Sequence, residues 1–145
     1  MPTIIDLPGF ENAGLGFQQL DEGTYTFKLE KLPEEKMENE KSFLEFNWKV
    51  VSGPQQKNPD PTDGSHDPNG KEQRDRVYLT GPAQWRLNRI LIGMGLKARD
   101  DKSSEVAKGH ITLENLLGHT IQGKLTRTLA KDGSGKEYRN VEYII

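Results

Sequence analysis

The most regular stretch of the chain is KSFLEFNWKVVSG, residues 41–53. Apolar side chains occur at every second position along most of it. Because successive side chains of a strand point to opposite faces, this period of two predicts a strand with one buried face. The predicted buried face is Leu44, Phe46, Trp48 and Val50, and the predicted outer face is Phe43, Glu45, Asn47 and Lys49.

Four further segments show the same period of two, which predicts strands on both sides of residues 41–53. The first follows Gly23, where Tyr25, Phe27 and Leu29 alternate with polar residues until Pro33. The others are RDRVYL at 74–79, TIQGKLTRTL at 120–129 and KEYRNVEYII at 136–145. A KDGSG turn joins the last two, so these strands are predicted to form a hairpin.

A helix is predicted between the third and fourth strands. Pro82 suits a first helical turn, and Gly95 suits the residue that ends a helix. Trp85 lies off the apolar stripe, beside Arg86 and Arg89. We expect Trp85 to cap the end of a barrel, with stacking on a base as the alternative. The apolar stripe consists of Leu87, Ile90, Leu91 and Met94.

The order of elements is three strands, a helix and two strands. This is the order of the OB-fold, a five-stranded Greek-key barrel, although other small α+β sheets share it. The predicted fold class is therefore mainly β, a five-stranded OB-like Greek-key barrel with a helix between strands three and four. A second short helix is predicted at 113–117, with Thr112 as its N-cap and Gly118 as its stop.

The chain has 145 residues, which favours one domain. Residues 1–20 carry scattered proline and glycine without a clear period, so they are predicted to form an irregular N-terminal arm. Residues 21–145 are predicted to form the single OB-like domain. Within it, residues 53–73 contain four prolines and almost no apolar side chain. Such a segment buries too little surface to offset its ordering entropy, which predicts a long mobile loop at about 53–73.

Charge is distributed unevenly along the chain. The net charge is -2, but residues 1–70 carry 6 Lys/Arg against 13 Asp/Glu, and residues 71–145 carry 14 against 9. A polyanion would therefore contact the second half, because phosphate binding depends on local Lys and Arg density. The absence of cysteine, of a secretory signal and of a long apolar run leads us to expect a cytoplasmic protein outside membranes.

The common catalytic signatures are missing from the sequence. His66, His110 and His119 are isolated, and without cysteine they complete no zinc motif. Gly93 and Gly95 close a helix and do not follow a strand, so the dinucleotide fingerprint is not met. The acidic residues show no calcium-loop spacing, and none of them forms the cluster that a metal-dependent nuclease needs. We therefore expect a protein without enzymatic activity, cofactor or metal site.

Basic and aromatic residues are interleaved on the predicted outer faces of the strands. Single-stranded nucleic acid is bound by this combination, because cations contact phosphates while flat rings stack on unpaired bases. Two members, Arg127 and Arg139, have the inward parity of their strands, so including them assumes a strand end or a bulge. The candidates are Phe43 and Lys49 on strand two, Arg74, Arg76 and Tyr78 on strand three, Lys124 and Arg127 on strand four, and Tyr138 and Arg139 on strand five.

The segment from Glu34 to Glu40 is acidic and is predicted to be a charged turn. A DNA-binding surface excludes such a segment, because carboxylates repel phosphates. We therefore expect it to point away from the candidate residues.

From residue 20 onward the chain resembles a family of phage proteins that are encoded among replication and recombination genes. The matching stretches are GTYTFKLEKL, SFLEFNWKVVSG, LTGPAQWRLNRILIGMGL, LENLLGHTIQGKL and KEYRNVEYI. Members of this family are taken to be single-stranded-DNA binders with an OB-like fold. The resemblance implies binding and protection of DNA strands in the host cytoplasm, in support of phage replication or recombination proteins. The apolar ending NVEYII departs from the acidic tail by which many single-strand binders recruit partners.

Two functions are consistent with these observations. The first is largely sequence-independent binding of single-stranded DNA. The alternative is a protein-interaction module on the same barrel, a replication or recombination accessory without DNA binding, whose edge strand pairs with a partner. The apolar C-terminal strand is compatible with burial in its own barrel or with pairing to a second copy in a homo-oligomer.

Overall fold

A computed structural model describes residues 2–8, 20–60, 63–129, 133 and 137–145, with the side chains of residue 129 and residues 137–139 excepted. These residues form a mainly antiparallel β-structure with six strands and one short α-helix. The strands are β1 Gly23–Leu29, β2 Glu34–Glu38, β3 Lys41–Ser52, β4 Glu72–Tyr78, β5 Thr120–Leu129 and β6 Glu137–Tyr143, and the helix is α1 Trp85–Gly93.

Strand β3 organises the sheet because it is long enough to pair with three neighbours. On one edge, residues 43–49 pair with β4. On the other edge, residues 41–45 pair with β2 and residues 48–52 pair with β1. Strand β1 pairs in turn with β5, which pairs with β6 as the predicted hairpin. The resulting strand order is β4-β3-β1-β5-β6. Strand β2 lies outside this order, because it pairs with β3 on the same edge as β1 but nearer the start of β3.

The predicted alternation of β3 is confirmed, since Leu44, Phe46, Trp48 and Val50 are all buried. Trp48 is completely buried, as expected for a core residue. Burying a strand face of this kind removes large apolar side chains from water, each contributing about 1.5–3 kcal/mol. The other core residues are Leu20, Tyr25, Phe27, Leu29, Val77, Leu87, Ile90, Leu91, Met94, Leu116, Ile121, Leu125, Val141 and Tyr143.

A glycine in the middle of β5 shows how closely the strands pack. A Cβ atom at Gly123 would lie 2.8 Å from Val141 Cγ1 and 2.9 Å from Phe27 Cε2. The position faces the core between β1 and β6, and it has no room for a side chain. The strand prediction for 120–129 is confirmed, and the glycine within it is explained by this close approach.

The prediction of five strands is wrong, because the expected charged turn contains strand β2. All five residues of Glu34–Glu38 are exposed, so the segment has no apolar period by which a strand is recognised. Its backbone pairs with the edge of β3 instead. The true turn is Asn39 and Glu40, which have φ of 51° and 65°. Two consecutive positive φ values are typical of the tight turn that joins hairpin strands.

The helix prediction is confirmed in its buried face and its end, whereas Pro82 lies in a 3-10 turn that precedes α1. A 3-10 turn at Gly81–Gln84 leads into α1, and Gly95 ends it with φ of 79°. The four residues of the apolar stripe are buried against the sheet. Because Trp85 lies on the opposite side of the helix, it is 60% exposed, and the expectation that it caps the barrel is wrong. No helix in the described part of the chain is long and apolar enough to cross a membrane.

The second predicted helix is a 3-10 turn, Leu113–Leu116. Thr112 occupies its N-cap position, but its side chain makes no capping hydrogen bond. Gly118 has φ of 82°, as expected for a residue that stops a helical turn.

The segment 53–73, expected to be mobile from its composition, makes specific contacts in its described part, and its last two residues belong to β4. Gln56 is buried, and its amide donates to Tyr25 Oη at 2.9 Å while accepting from Asp21 N at 2.8 Å. Lys71 and Asp60 form an ion pair whose side chains are mostly buried. These polar contacts are not visible in a composition, since Gln56 depends on partners more than 30 positions away and the ion pair depends on how the segment folds back on itself.

The predicted N-terminal arm, residues 1–20, is described at residues 2–8 and at residue 20. Residues 2–8 form no helix or strand, and they are exposed. Three of them are large apolar residues, namely Ile4, Ile5 and Leu7. Leu20, at the end of the predicted arm, belongs to the core.

Candidate nucleic-acid interface

Strand β4 carries three predicted residues on its outer face, which is the face opposite the buried Trp48. Arg74 and Arg76 are exposed and Tyr78 is half-buried. Alternate residues of a strand lie about 6.6 Å apart, so the three side chains form a straight row. We call these three residues the β4 row. Strand β4 thus presents two guanidinium groups and a phenol to one side of the sheet.

Phe43 supports the β4 row from the neighbouring strand. It pairs in register with Tyr78, and their ring centroids lie 5.5 Å apart. The Arg76 guanidinium lies over the same ring, with Cζ 4.8 Å from its centroid, a favourable cation-π arrangement. Phe43 lies on the outer face as predicted, yet it is only 2% exposed because these neighbours cover it. Its ring therefore positions Tyr78 and Arg76 and offers little surface to a base.

The acidic segment lies beside the β4 row, so the expectation that it points away is wrong. Strand β2 pairs with β3 so that Lys36 is opposite Phe43 and Glu34 is opposite Glu45. Glu38 reaches across β3 and forms an ion pair with Arg76. The hydrogen bond to Glu38 raises the pKa of Arg76. One member of the row is thus partly neutralised.

A second ion pair lies next to Phe43. Lys36 Nζ is 2.9 Å from Glu45 Oε2 and 3.5 Å from Glu34 Oε2. The hydrogen bond from Lys36 lowers the pKa of Glu45, and the same bond raises the pKa of Lys36. Both groups therefore stay charged around neutral pH, and since Lys36 faces two carboxylates, the β2 side of the row keeps a net negative charge.

Two predicted cations of this face differ in their surroundings. Lys49 is exposed, and its Nζ lies 3.3 Å from Glu30 Oε2. Arg74 is opposite Asn47 in the β3–β4 ladder, and no carboxylate of the described residues lies within ion-pair distance of its guanidinium. Arg74 is thus the cation of the row that is most readily available to an anion.

The remaining predicted residues lie on β5 and β6, neither of which pairs with β4. Strands β3 and β1 separate β4 from β5, a distance of about 14 Å at normal strand spacing. Lys124 is exposed on the outer face of β5. The backbones of Tyr138 and Arg139 pair with Thr128 and Arg127, and their side chains lie outside the described part of the structure.

Arg127 is exposed at the end of β5, beyond the last residue that pairs with β1. Its guanidinium lies 3.2 Å from Asp21 Oδ1 and donates to Leu20 O at 3.4 Å. Arg127 therefore joins β5 to the segment that precedes β1. The seven predicted residues whose side chains are described fall into two groups, one on β3 and β4 and one on β5.

A buried polar network lies directly behind the β4 row. Asp75, between Arg74 and Arg76 in sequence, points inward and receives two hydrogen bonds from Arg86, at 2.6 and 3.2 Å. The Tyr143 hydroxyl donates to the same carboxylate and accepts from Trp48 Nε1 at 2.9 Å. We call Trp48, Asp75, Arg86 and Tyr143 the interior network.

The interior network connects the two strands at the ends of the pairing order. Arg86 of α1 donates to Arg76 O of β4 at 2.9 Å and to Val141 O of β6 at 3.1 Å. Arg89 of the same helix donates to Tyr143 O at 2.6 Å. One helix thus holds β4 and β6 together through backbone carbonyls. Sequence reasoning placed Arg86 and Arg89 beside Trp85 and missed this role, because their carbonyl partners are far away in sequence.

Burial changes the titration of two members of the interior network. Desolvation raises the pKa of Asp75, and the nearby Arg86 cation opposes this shift. Burial, together with the Asp75 carboxylate, raises the pKa of Tyr143 well above its ordinary value. The Tyr143 hydroxyl therefore remains protonated, which keeps it a hydrogen-bond donor to Asp75.

A groove of about 790 Å³ lies between α1 and residues 97–113. Its floor is apolar, and its rim carries the exposed Trp85 together with several cations. Sequence reasoning missed the groove, although a tryptophan opposite the apolar stripe of a helix was a usable signal. The groove residues used below are Leu79, Leu113, Trp85, Lys97, Arg99 and Lys102.

Among the described residues, no group of three or more His, Asp or Glu side chains is placed to hold a metal ion. Comparison with models of known protein families gives no match, and no curated protein matches the chain.

Proposed function

We propose that the protein binds single-stranded DNA through the outer face of β3 and β4, with little sequence preference. The β4 row is the observation that supports this proposal. Its guanidinium groups suit phosphates, and its half-exposed phenol suits stacking on an unpaired base, which contributes about 1–3 kcal/mol per base. Neither contact depends on the identity of the base.

The distribution of charge around the row supports binding of one strand and not of a duplex. Arg74 and Arg76 form a narrow positive strip, since they are adjacent members of one strand face. Glu38 and Glu45 flank this strip on the side of β2. A second phosphate backbone would meet these carboxylates, whereas a single strand can follow β4 alone.

The proposed fold is an OB-like barrel. The strand order and the position of α1 between β4 and β5 support it. The bridge from Arg86 to carbonyls of β4 and β6 supports closure of the sheet into a barrel. In this proposal the protein protects DNA strands in the host cytoplasm during phage replication or recombination, and it has no enzymatic activity.

The test is fluorescence anisotropy of labelled single-stranded and duplex oligonucleotides across a salt series. We expect tighter binding to the single strand and an affinity that decreases steeply as salt increases, because phosphate contacts release counterions. Tyr78→Ala should weaken binding by about tenfold, as loss of one stacked base implies. Arg74→Ala should weaken binding and reduce the salt dependence.

The matched control is Lys108→Ala, which removes an exposed cation outside the face. It changes the net charge as much as Arg74→Ala does, so equal weakening by both variants would show a non-specific charge effect. Absence of salt-sensitive binding to any oligonucleotide would contradict the proposal. Stable co-purification with a phage protein would then favour the alternative interaction module.

A further inference from the structure

The floor of the groove between α1 and residues 97–113 exposes apolar surface. Leu79 and Leu113 pack against the core but remain half-exposed in the groove. Trp85 on the rim is 60% exposed. The volume lies within the range of ordinary ligand clefts. Apolar surface gathered in a concave site is typical of a binding site, whereas scattered exposed residues are not.

The rim of the groove is mainly positive. Lys97, Arg99 and Lys102 line it, together with the acidic residues Glu35 and Asp101. The Asp101 carboxylate already accepts hydrogen bonds from the backbone of residues 103 and 104 and from a serine hydroxyl. These bonds lower the pKa of Asp101, so its carboxylate stays ionised, but the three cations outnumber the two carboxylates and the rim remains net positive. The groove therefore fits an apolar ligand that carries a negative charge.

One described segment of the chain has this composition. Residues 3–7 read Thr-Ile-Ile-Asp-Leu. Ile4 is 80% exposed, Ile5 is 73% exposed and Leu7 is 55% exposed, so most of the surface of all three is free to contact another molecule. Asp6 adds one negative charge between them. Five extended residues span at most about 17 Å, a length suited to a cleft beside a short helix.

We propose that residues 3–7 of one copy bind the groove of a second copy. In an extended segment Ile5 and Leu7 share one face, so both pack on the apolar floor, with Leu7 beside Trp85. Ile4 and Asp6 share the other face, where Asp6 meets the cations of the rim. The occupant is a second copy because the same segment is exposed in the chain that carries it. Only three large side chains become buried, so the association is weak and depends on protein concentration.

Sedimentation velocity over a range of protein concentrations tests the proposal. The wild-type protein should self-associate increasingly as its concentration rises. In the double variant Ile4→Ser/Ile5→Ser the dissociation constant for self-association should increase by at least about tenfold. Neither residue belongs to the core, so folding is not at risk. The matched control is Val51→Ser, which removes an exposed apolar side chain of β3 and should leave association unchanged.

Charge exchange tests the rim independently. Asp6→Lys and Arg99→Glu should each weaken self-association by about threefold, the size expected for an exposed ion pair. The combination of both substitutions should restore affinity, because the opposite charges are then exchanged. Additive weakening in the combined variant would contradict contact between Asp6 and this rim.

A peptide of residues 2–8 provides a third measurement. Added to protein that lacks residues 2–8, it should shift the tryptophan emission to shorter wavelength, and Trp85→Phe should abolish this shift. Trp48 is buried and serves as an unchanged internal reference. A strictly monomeric wild-type protein would overturn the proposal, as would a peptide without effect on Trp85. If the protein is monomeric and removal of residues 2–8 changes the Trp85 emission, the segment binds the groove of its own chain, and this result also contradicts the proposal.

Discussion

Two arginine-carboxylate pairs share strand β4 but differ in their surroundings. Asp75 pairs with Arg86 in the interior network, where the side chains are 12% and 24% exposed. Arg76 pairs with Glu38 on the outer face, where both side chains are about half exposed, at 51% and 52%. Consecutive residues of one strand thus take part in a buried pair and in an exposed pair.

The two pairs differ in whether the arginine is available to bind another anion. Arg86 is held by Asp75 and by two backbone carbonyls, so its donors are used for structure. Arg76 contacts the Phe43 ring and one exposed carboxylate, and salt and competing anions can displace that carboxylate. An exposed pair of this kind can exchange its partner for a phosphate, whereas the buried pair cannot. Burial therefore separates a structural arginine from one available for binding.

The largest expected effect is on stability. Arg86→Met leaves the Asp75 carboxylate buried without its cation and removes the link between β4 and β6, so it should lower the free energy of unfolding by about 3 kcal/mol. Arg76→Met, the matched change on the exposed pair, should alter it by less than about 1 kcal/mol. Urea denaturation followed by fluorescence measures both. Equal effects would show that burial does not distinguish the pairs.

A smaller effect is expected on DNA binding. Glu38→Gln frees Arg76 from its carboxylate and removes a negative charge from the edge of the β4 row, so affinity for single-stranded DNA should rise by about threefold at low salt. Glu105→Gln is the control, because it removes an exposed carboxylate elsewhere. Anisotropy titrations measure both variants. Weaker binding by Glu38→Gln would mean that the ion pair orients Arg76 for DNA.

The smallest effect is a dependence of stability on pH. Because burial raises the pKa of Asp75 in the folded state, the folded protein holds its proton more tightly than the unfolded chain does. The stabilising contribution is present below about pH 4 and is lost as pH rises through the raised pKa. The free energy of unfolding of the wild type, relative to Asp75→Asn, should therefore decrease as pH rises from about 4. An increase would show that attraction to Arg86 outweighs desolvation.

Residues with a clear period were predicted well. The buried face of β3 and the apolar stripe of α1 follow directly from the spacing of apolar side chains, since a period of two and a period of 3.6 each define one face. Strand β2 was missed because all its residues are exposed, and only its pairing with β3 makes it a strand.

The predictions for the site residues also succeed where they depend on local spacing and fail where they depend on contacts with other strands. Outward orientation of Arg74 and Arg76 follows from strand alternation, and the structure agrees. The burial of Phe43 was not predictable, because it depends on side chains from the next strand. The contacts of Gln56 with Tyr25 and Asp21 likewise depend on residues more than 30 positions away.

Spacing and composition alone predict the strand and helix faces, the order of most elements and the concentration of basic residues in the second half. These properties depend on neighbours within a few positions, and local spacing records them. Tertiary contacts set which arginines are buried, where the acidic strand lies and how α1 and residues 97–113 enclose a groove. Each of these depends on side chains brought together from distant positions, and their burial sets how strongly their charges interact.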